Sequence, residues 1–442
     1  TPTVTPVVPT ATPAKTSGKQ GQPQKEDAKK MFHKGDDTAP IDNTTIRLVD
    51  PTTNAEVTSL PAMKDGKQVG TYTLDPATGI ITFQPNSDFD GTPEPAKVTA
   101  ADKNGTKVTT TYTPTVTPVE PTGTPVTSEG KQGQVQTGKP VFTEGDPTAP
   151  ITITEDQPAQ FIDPATGEAT EAKEIPAKDS TGKTVGKYTI DPLTGVVTFT
   201  PNKDFTGTPV PATVQVKDAN GTPTTANYTP TVTPVVPTKI PKETTGKQAQ
   251  PQTQDTESMF TKGDEVAPID KSTVKLIDPE TNAEVTSIPA KKDGKQVGTY
   301  TLDPETGVIT FQPNKDFVGT PDPVKVVAKD TNGTKVETTY TPTVTPVTPT
   351  AEPATSTDIQ GQEQTGKPNF TEGNPSVPMD DDVPATFEDG STTKTIPGEG
   401  TYTVAPDGSV TFVPEKSFTG KGTGVTVKRV DKNGTPVTAK YT

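Results

Sequence analysis

The stretch TKVTTTYTPTVTPV (residues 106–119) decides how this chain folds. Val108, Tyr112 and Val116 lie an even number of residues apart, so they share one face of an extended strand, with threonine on most of the other. β-Branched threonine favours extended backbone and tolerates a solvated face. The phase is unbroken from Val108 to Val116, which predicts that TPTV lengthens the strand. Pro114 and Pro118 have no N–H to donate, so this tail is expected at a sheet edge or where the chain leaves the sheet.

The second half of the stretch recurs. TPTVTPV occupies residues 1–7, 113–119, 229–235 and 341–347, and the chain closes on Tyr441-Thr442, where a further copy would begin. Repetition at a near-constant period marks a tandem array. The repeats alternate in kind: the forty residues from Asp50 to Phe89 return nearly unchanged from Asp278 to Phe317, while GKPVFTEGDP (138–147) returns as GKPNFTEGNP (366–375). The expected organisation is a linker remnant at 1–16 and repeats at 17–118, 129–234, 245–346 and 356–442. The fourth is then truncated at its last strand, and the chain is a portion of a longer array. Between repeats lie Pro/Thr segments such as VEPTGTPVTSE (119–129), expected to be stiff polyproline-II spacers that set the repeats out as an elongated rod.

Composition raises a rival reading. Only 27% of residues are hydrophobic, and Pro (51) and Gly (37) together make about a fifth of the 442 residues, which approaches a disordered stalk. The aromatic residues argue against it. The eight tyrosines fall two to a repeat, at Tyr72/112, 188/228, 300/340 and 402/441. Phenylalanines recur three to a repeat, at Phe32/83/89, 142/199/205, 260/311/317 and 370/412/418, leaving only Phe161 and Phe387. Aromatics kept in register are what a shared core requires.

Within repeat one the strand signals are 18–24, 46–49, 55–60, 68–74, 80–85, 96–100 and 106–116. About seven strands separated by turn signals predict an all-β fold: an antiparallel, immunoglobulin-like sandwich in each repeat. The Asn-Gly pairs at 104–105, 220–221, 332–333 and 433–434 suit two-residue type I′ hairpins, as does KDGK at 64–67 and 292–295. In DPATG, Pro76 presets a type I turn and Gly79 takes the left-handed position.

Charge and chemistry exclude much. A net charge of −15 excludes nucleic acid and anionic membrane as partners, because both need clustered Lys/Arg. With no cysteine there is no disulfide or thiolate chemistry, and the single histidine, His33, cannot build a zinc site or a catalytic triad. No catalytic, cofactor-binding or metal residue is assigned, and no enzyme activity or cofactor is expected. The D-x-N-G loops and the acidic run MDDDVP (379–384) offer too few oxygens in one loop for calcium, and are read as hairpin turns and a solvated loop. Lysine and asparagine are plentiful enough for an intramolecular isopeptide bond, but no pair can be named from abundance.

Four motifs together, D-P-x-T-G-x-[IV]-T-F-x-P-N, D-F-x-G-T-P, D-x-N-G-T and Y-T-P-T-V-T-P-V, resemble the CshA-type fibril repeats of Gram-positive, chiefly streptococcal, cell-wall-anchored adhesins. The resemblance spans all four repeats. Repeat four departs from it, since APDGSVTFVPEKSFTGKGTGVTV (405–427) lacks the Asn and the Thr-Pro pairs. The resemblance implies a secreted, wall-anchored surface fibril whose stalk projects a distal ligand-binding region, with these repeats as a monomeric part of a longer array. It implies possible partners for the parent protein, namely a host matrix protein such as fibronectin, or other bacteria. The alternative is that the repeats are themselves weak, multivalent adhesive modules.

Overall fold

The computed structural model describes residues 1–442 and contains strands, turns and two single turns of 3-10 helix. Two compact units, Thr1–Pro234 and Val235–Thr442, each hold two repeats. Repeat one shows the plan. Its strands are β1 (Thr10–Ala11), β2 (Ala14–Lys19), β3 (Gln24–Asp27), β4 (Phe32–His33), β5 (Ile41–Val49), β6 (Glu56–Val57), β7 (Ser59–Lys64), β8 (Lys67–Leu74), β9 (Ile80–Pro85), β10 (Ala96–Asp102) and β11 (Lys107–Thr117). One sheet has the order β2-β11-β10-β5-β6, the other β3-β9-β8-β7, and β1 pairs with β4.

Every pairing in the repeat is antiparallel except one. β11 runs antiparallel to β10 as far as Tyr112, which faces Ala96, and from Tyr112 to Thr117 it runs parallel to Ala14–Lys19. The tail TPTVT is therefore strand, as its phase predicts, and it exchanges one partner for another at the tyrosine. Val116 N–H and C=O both bond Gly91, on the side away from β2. Pro114, two residues earlier, points its nitrogen the same way, beyond the start of β10, where a donor is not needed. The proline is accommodated inside a five-stranded sheet because its neighbour on that side has already ended.

The expected first strand at 18–24 is two strands in different sheets. The chain turns at Gln20-Gly21, where Gly21 has φ +75, and so carries the backbone from β2 to β3. The segments read as polyproline-II spacers also differ from expectation. Thr122–Thr124 pairs with Val141–Thr143, and Val126–Lys131 pairs in parallel with residues 228–233. Their alternating half-buried pattern fits a sheet edge, and the parallel partner supplies the hydrogen bonds that polyproline-II would leave to water.

The core lies between the two sheets. In repeat one it joins Leu48, Val98 and Tyr112 from the first sheet to Leu60, Tyr72, Ile81 and Phe83 from the second. Each of the other repeats has a separate cluster of the same kind. All eight tyrosines are buried, and the two in each repeat meet edge to face at centroid distances of 6.0–6.3 Å. The unmatched phenylalanines have the same duty: Phe161 pairs with Val214 where Leu48 pairs with Val98, and Phe387 pairs with Val427.

KDGK is a type I′ hairpin, with Asp65 at φ 49 and Gly66 at φ 77. The Asn-Gly loops are not. Gly105 is left-handed (φ 80) but Asn104 is not, and Asp102 organises the loop, its Oδ1 accepting from Asn104 N (2.9 Å) and Thr106 N (2.8 Å). The aspartate two residues earlier makes this a longer turn capped by a side chain.

Repeat four is smaller. Its first sheet keeps only Thr386–Phe387, Val425–Val430 and Pro436–Tyr441, with neither the parallel strand nor a counterpart of β6.

Phe199 is fully buried against Tyr188, with ring centroids 5.2 Å apart. Phe199→Ala is expected to destabilise repeat two by about 3–5 kcal/mol in urea titration; a loss below about 1 kcal/mol would place the ring outside the core.

Candidate functional site

The parallel tail of β11 is held by a buried polar circuit. Thr16 Oγ1 donates to Gln24 Oε1 at 2.5 Å, so its oxygen accepts from the Tyr112 hydroxyl, 2.8 Å away. Gln24 Nε2 then donates to the Thr115 carbonyl at 2.9 Å. The circuit leaves strand β11 at Tyr112, passes through β2 and β3, and returns to β11 three residues on. Burial raises the Tyr112 pKa, so the hydroxyl remains a donor at physiological pH. Ser128, Gln136 and Tyr228 repeat the arrangement, as do Thr244, Gln252 and Tyr340. Gly18 is needed for it: a Cβ there would meet Gln24 Cγ at 2.7 Å.

A second glutamine closes the end of the strand. Gln20 N donates to Thr117 O (2.9 Å), Gln20 Oε1 accepts from Val119 N (3.1 Å), and Gln20 Nε2 donates to Ser87 O (3.1 Å). TPTVTPV is thus read at both ends by glutamines from GKQGQPQ, which explains why the two phrases recur together.

The turn that carries Gln20 also meets the next repeat. Lys19 forms an ion pair with Asp146 of the EGDP loop, and Asn220 Nδ2 donates to the Gln20 carbonyl at 3.4 Å. The backbone at Gly21 comes so close to Asn220 that a Cβ would lie 2.3 Å from Oδ1. Asn220 is buried here, whereas Asn104, its counterpart in repeat one, is exposed. Asp146 is held down at about 2 by the Lys19 ammonium first, then by the Thr148 N–H and hydroxyl. In the second unit this joint changes: Ala249 (φ 67) replaces the glycine, and Asn374 replaces the aspartate. Lys247 therefore faces no carboxylate at that position, and the Asn433 amide nitrogen is buried without a partner.

The residues weighed for chemistry are placed as follows. His33 is exposed, with Nε2 3.0 Å from Thr12 Oγ1 where β4 meets β1. The run MDDDVP, read as a solvated loop, is ion-paired: Asp380 and Asp382 bond Lys432 at 2.7 and 2.8 Å, and Asp381 bonds Arg429 at 2.6 Å. Three acids and two cations so paired tie this loop to the last hairpin of repeat four. In all four D-x-N-G loops the aspartate Oδ2 is buried without a hydrogen bond, and no three His, Asp or Glu side chains gather to hold a metal. The glutamines were the functional residues that sequence reasoning passed over; the signal was their fixed place in GKQGQPQ and its copies.

These observations define a tandem array of β-sandwich repeats, the first three each locked by their own closing strand. The family model for the surface adhesin CshA repetitive domain matches residues 6–116, 118–232, 234–344 and 346–442, and the chain belongs to that family of surface adhesin repeats. No curated protein matches it. Solved structures similar to it include protocadherin gamma B2 extracellular cadherin domains 1–5 (11% identity, 98% of this chain and 81% of that one, TM-score 0.31). They also include mouse cadherin-23 domains EC22–24 (13%, 77% and 100%, TM-score 0.30). A third is the sidekick-1 immunoglobulin domains 1–5 (12%, 98% and 79%, TM-score 0.24).

Two outcomes follow from the geometry. Gln24→Leu removes the bonds that Gln24 makes to the Thr16 hydroxyl and the Thr115 carbonyl, which is expected to cost repeat one about 1–3 kcal/mol and to speed amide exchange at Thr113–Thr117. At the joint, the lowered pKa of Asp146 means that its contribution is complete above about pH 4, the ordinary carboxylate range, and fades as pH falls toward 2. Amide exchange at Asn220 and Gly221 should accelerate over that window and at high salt, and Asp146→Asn should remove both dependences.

Proposed function

We propose that this chain is a stalk segment of a secreted, cell-wall-anchored fibrillar adhesin, whose function is to supply length between the wall and a distal ligand-binding region. The observation that carries this reading is the joint at Lys19, Gln20 and Gly21. The residues that close one sandwich are the residues that engage the next, so folding a repeat also prepares its contact with a neighbour. Four separate cores mean that repeats can be added without redesigning any of them. The repeat unit is taken to run from the β1 pairing through TPTVTPV, so that the Pro/Thr segments belong to the domains and leave no slack between them.

Exposed large apolar side chains such as Val135, Val210 and Val318 are spread singly among the repeats. That distribution favours a spacer over an adhesive face, which would present a contiguous patch. Contact with a host matrix protein such as fibronectin, or with other bacteria, is assigned to other parts of the parent protein. The acidic, lysine-interspersed surface keeps the segment monomeric and soluble, and no enzymatic role is assigned to it.

Small-angle scattering tests the reading. A stalk of four sandwiches should have a length of order 150–200 Å and a radius of gyration of roughly 45–60 Å. A radius near the 22 Å or so of a compact globule of this length would overturn it.

A further inference from the structure

Two joints lie wholly within a unit, that between repeats one and two and that between repeats three and four, and their matching positions differ in chemistry. At the first, Gly21 is left-handed (φ 75) and has no side chain, so Asn220 comes close enough to donate its Nδ2 to the Gln20 carbonyl. Asp146 does two things there. Its Oδ1 accepts from the Thr148 N–H (3.0 Å) and hydroxyl (2.8 Å), and its Oδ2 takes the Lys19 ammonium.

The second joint keeps the turn and loses what the turn holds. Ala249 stays left-handed (φ 67), a conformation that a Cβ disfavours. Gln312 Nε2 donates to the Ala249 carbonyl at 3.3 Å, as Gln84 Nε2 does to Gly21 at 3.2 Å. The added methyl therefore stands where a Cβ on Gly21 would lie 2.3 Å from Asn220 Oδ1, and an asparagine there must give way. Asn433, at the place of Asn220, has its Nδ2 buried with no partner. Asn374 keeps half of the aspartate's work, its Oδ1 accepting from the Ser376 N–H (3.0 Å) and hydroxyl (2.6 Å). Its other end is an amide nitrogen. That nitrogen and the Lys247 ammonium, at the place of Lys19, are both donors and cannot bond each other.

We propose that the joint between repeats three and four is a hinge, and that the joint between repeats one and two is its locked counterpart. One methyl group and one amide remove both bonds that hold the first joint, and neither change touches a sandwich core. The buried, unpaired Asn433 amide favours opening, because water would satisfy it. Bending in the second unit is then concentrated at Ala249, whereas repeats one and two hold a single orientation. On the stalk reading above, a segment so built yields to a sideways load at a fixed place with no domain unfolding.

The chain has no cysteine, so spin labels can be attached at chosen positions alone. Ser87→Cys with Lys203→Cys, and Lys315→Cys with Lys416→Cys, place label pairs at matching exposed positions in successive repeats of the whole chain. Double electron–electron resonance reads the spread of each distance. The spread across repeats three and four is expected to be at least about twice that across repeats one and two, because an unlocked joint populates several orientations. Adding Ala249→Gly and Asn374→Asp, which restore the residues of the first joint, should narrow it to the one-to-two spread. Equal spreads at the two joints overturn the proposal, and so does a wide spread that the double substitution leaves unchanged. Each pair reports one joint alone, so this outcome is independent of the length measured by scattering.

Discussion

The parallel pairing of TPTVT with the first long strand is the constraint on which repeats one to three depend. An antiparallel sandwich can be built from neighbouring hairpins, but a parallel pair joins segments about a hundred residues apart in the chain. It also lies at the domain edge, where threonine brings polar side chains to it. The Tyr–Thr–Gln circuit adds side-chain hydrogen bonds to those of the parallel ladder. Each is worth only about 1 kcal/mol net, but leaving a member buried and unpaired would cost more than that. The circuit therefore acts less as glue than as a specification of one register.

The same logic explains how so little apolar residue suffices. A sandwich needs only its two inner faces to be apolar, and strand alternation supplies them from every second residue. Two tyrosines and a phenylalanine are the largest fully buried side chains of repeat one, and the tyrosine hydroxyls are satisfied at the core's edge, Tyr72 by the Glu94 carbonyl and Tyr112 by Thr16. Tyrosine suits a thin core because one ring spans it and still reaches a polar rim. Threonine on the outer faces keeps the sheets extended without adding hydrophobic surface.

Repeats one and two meet at a compact joint. At the contact between repeats one and two, an ion pair, an asparagine and a glycine that admits no side chain converge on a single turn. Repeats three and four substitute alanine and asparagine at the matching places, so the array is not uniform in how its neighbours meet. Repeat four spends its own acids differently, on Lys432 and Arg429 within the domain.

What the sequence determined by itself was the period, the strand phase and the core aromatics. These depend on local alternation and on comparing four copies, and both are visible along a line. Phase alone also placed Val116 on the buried face and made TPTV a strand. The tertiary structure decided everything that depends on who lies beside whom. GKQGQPQ looked like one strand because nothing local shows that Gly21 turns the chain from one sheet to the other. The Pro/Thr segments looked like spacers because their hydrogen-bond partners lie elsewhere in the repeat, about twenty residues on for Thr122–Thr124 and at its far end for Val126–Lys131. The clasp glutamines carried no signal of their own, since a buried glutamine and a solvated one have the same neighbours in sequence. Only the approach of Tyr112 and Thr115 through space gives Gln24 its role.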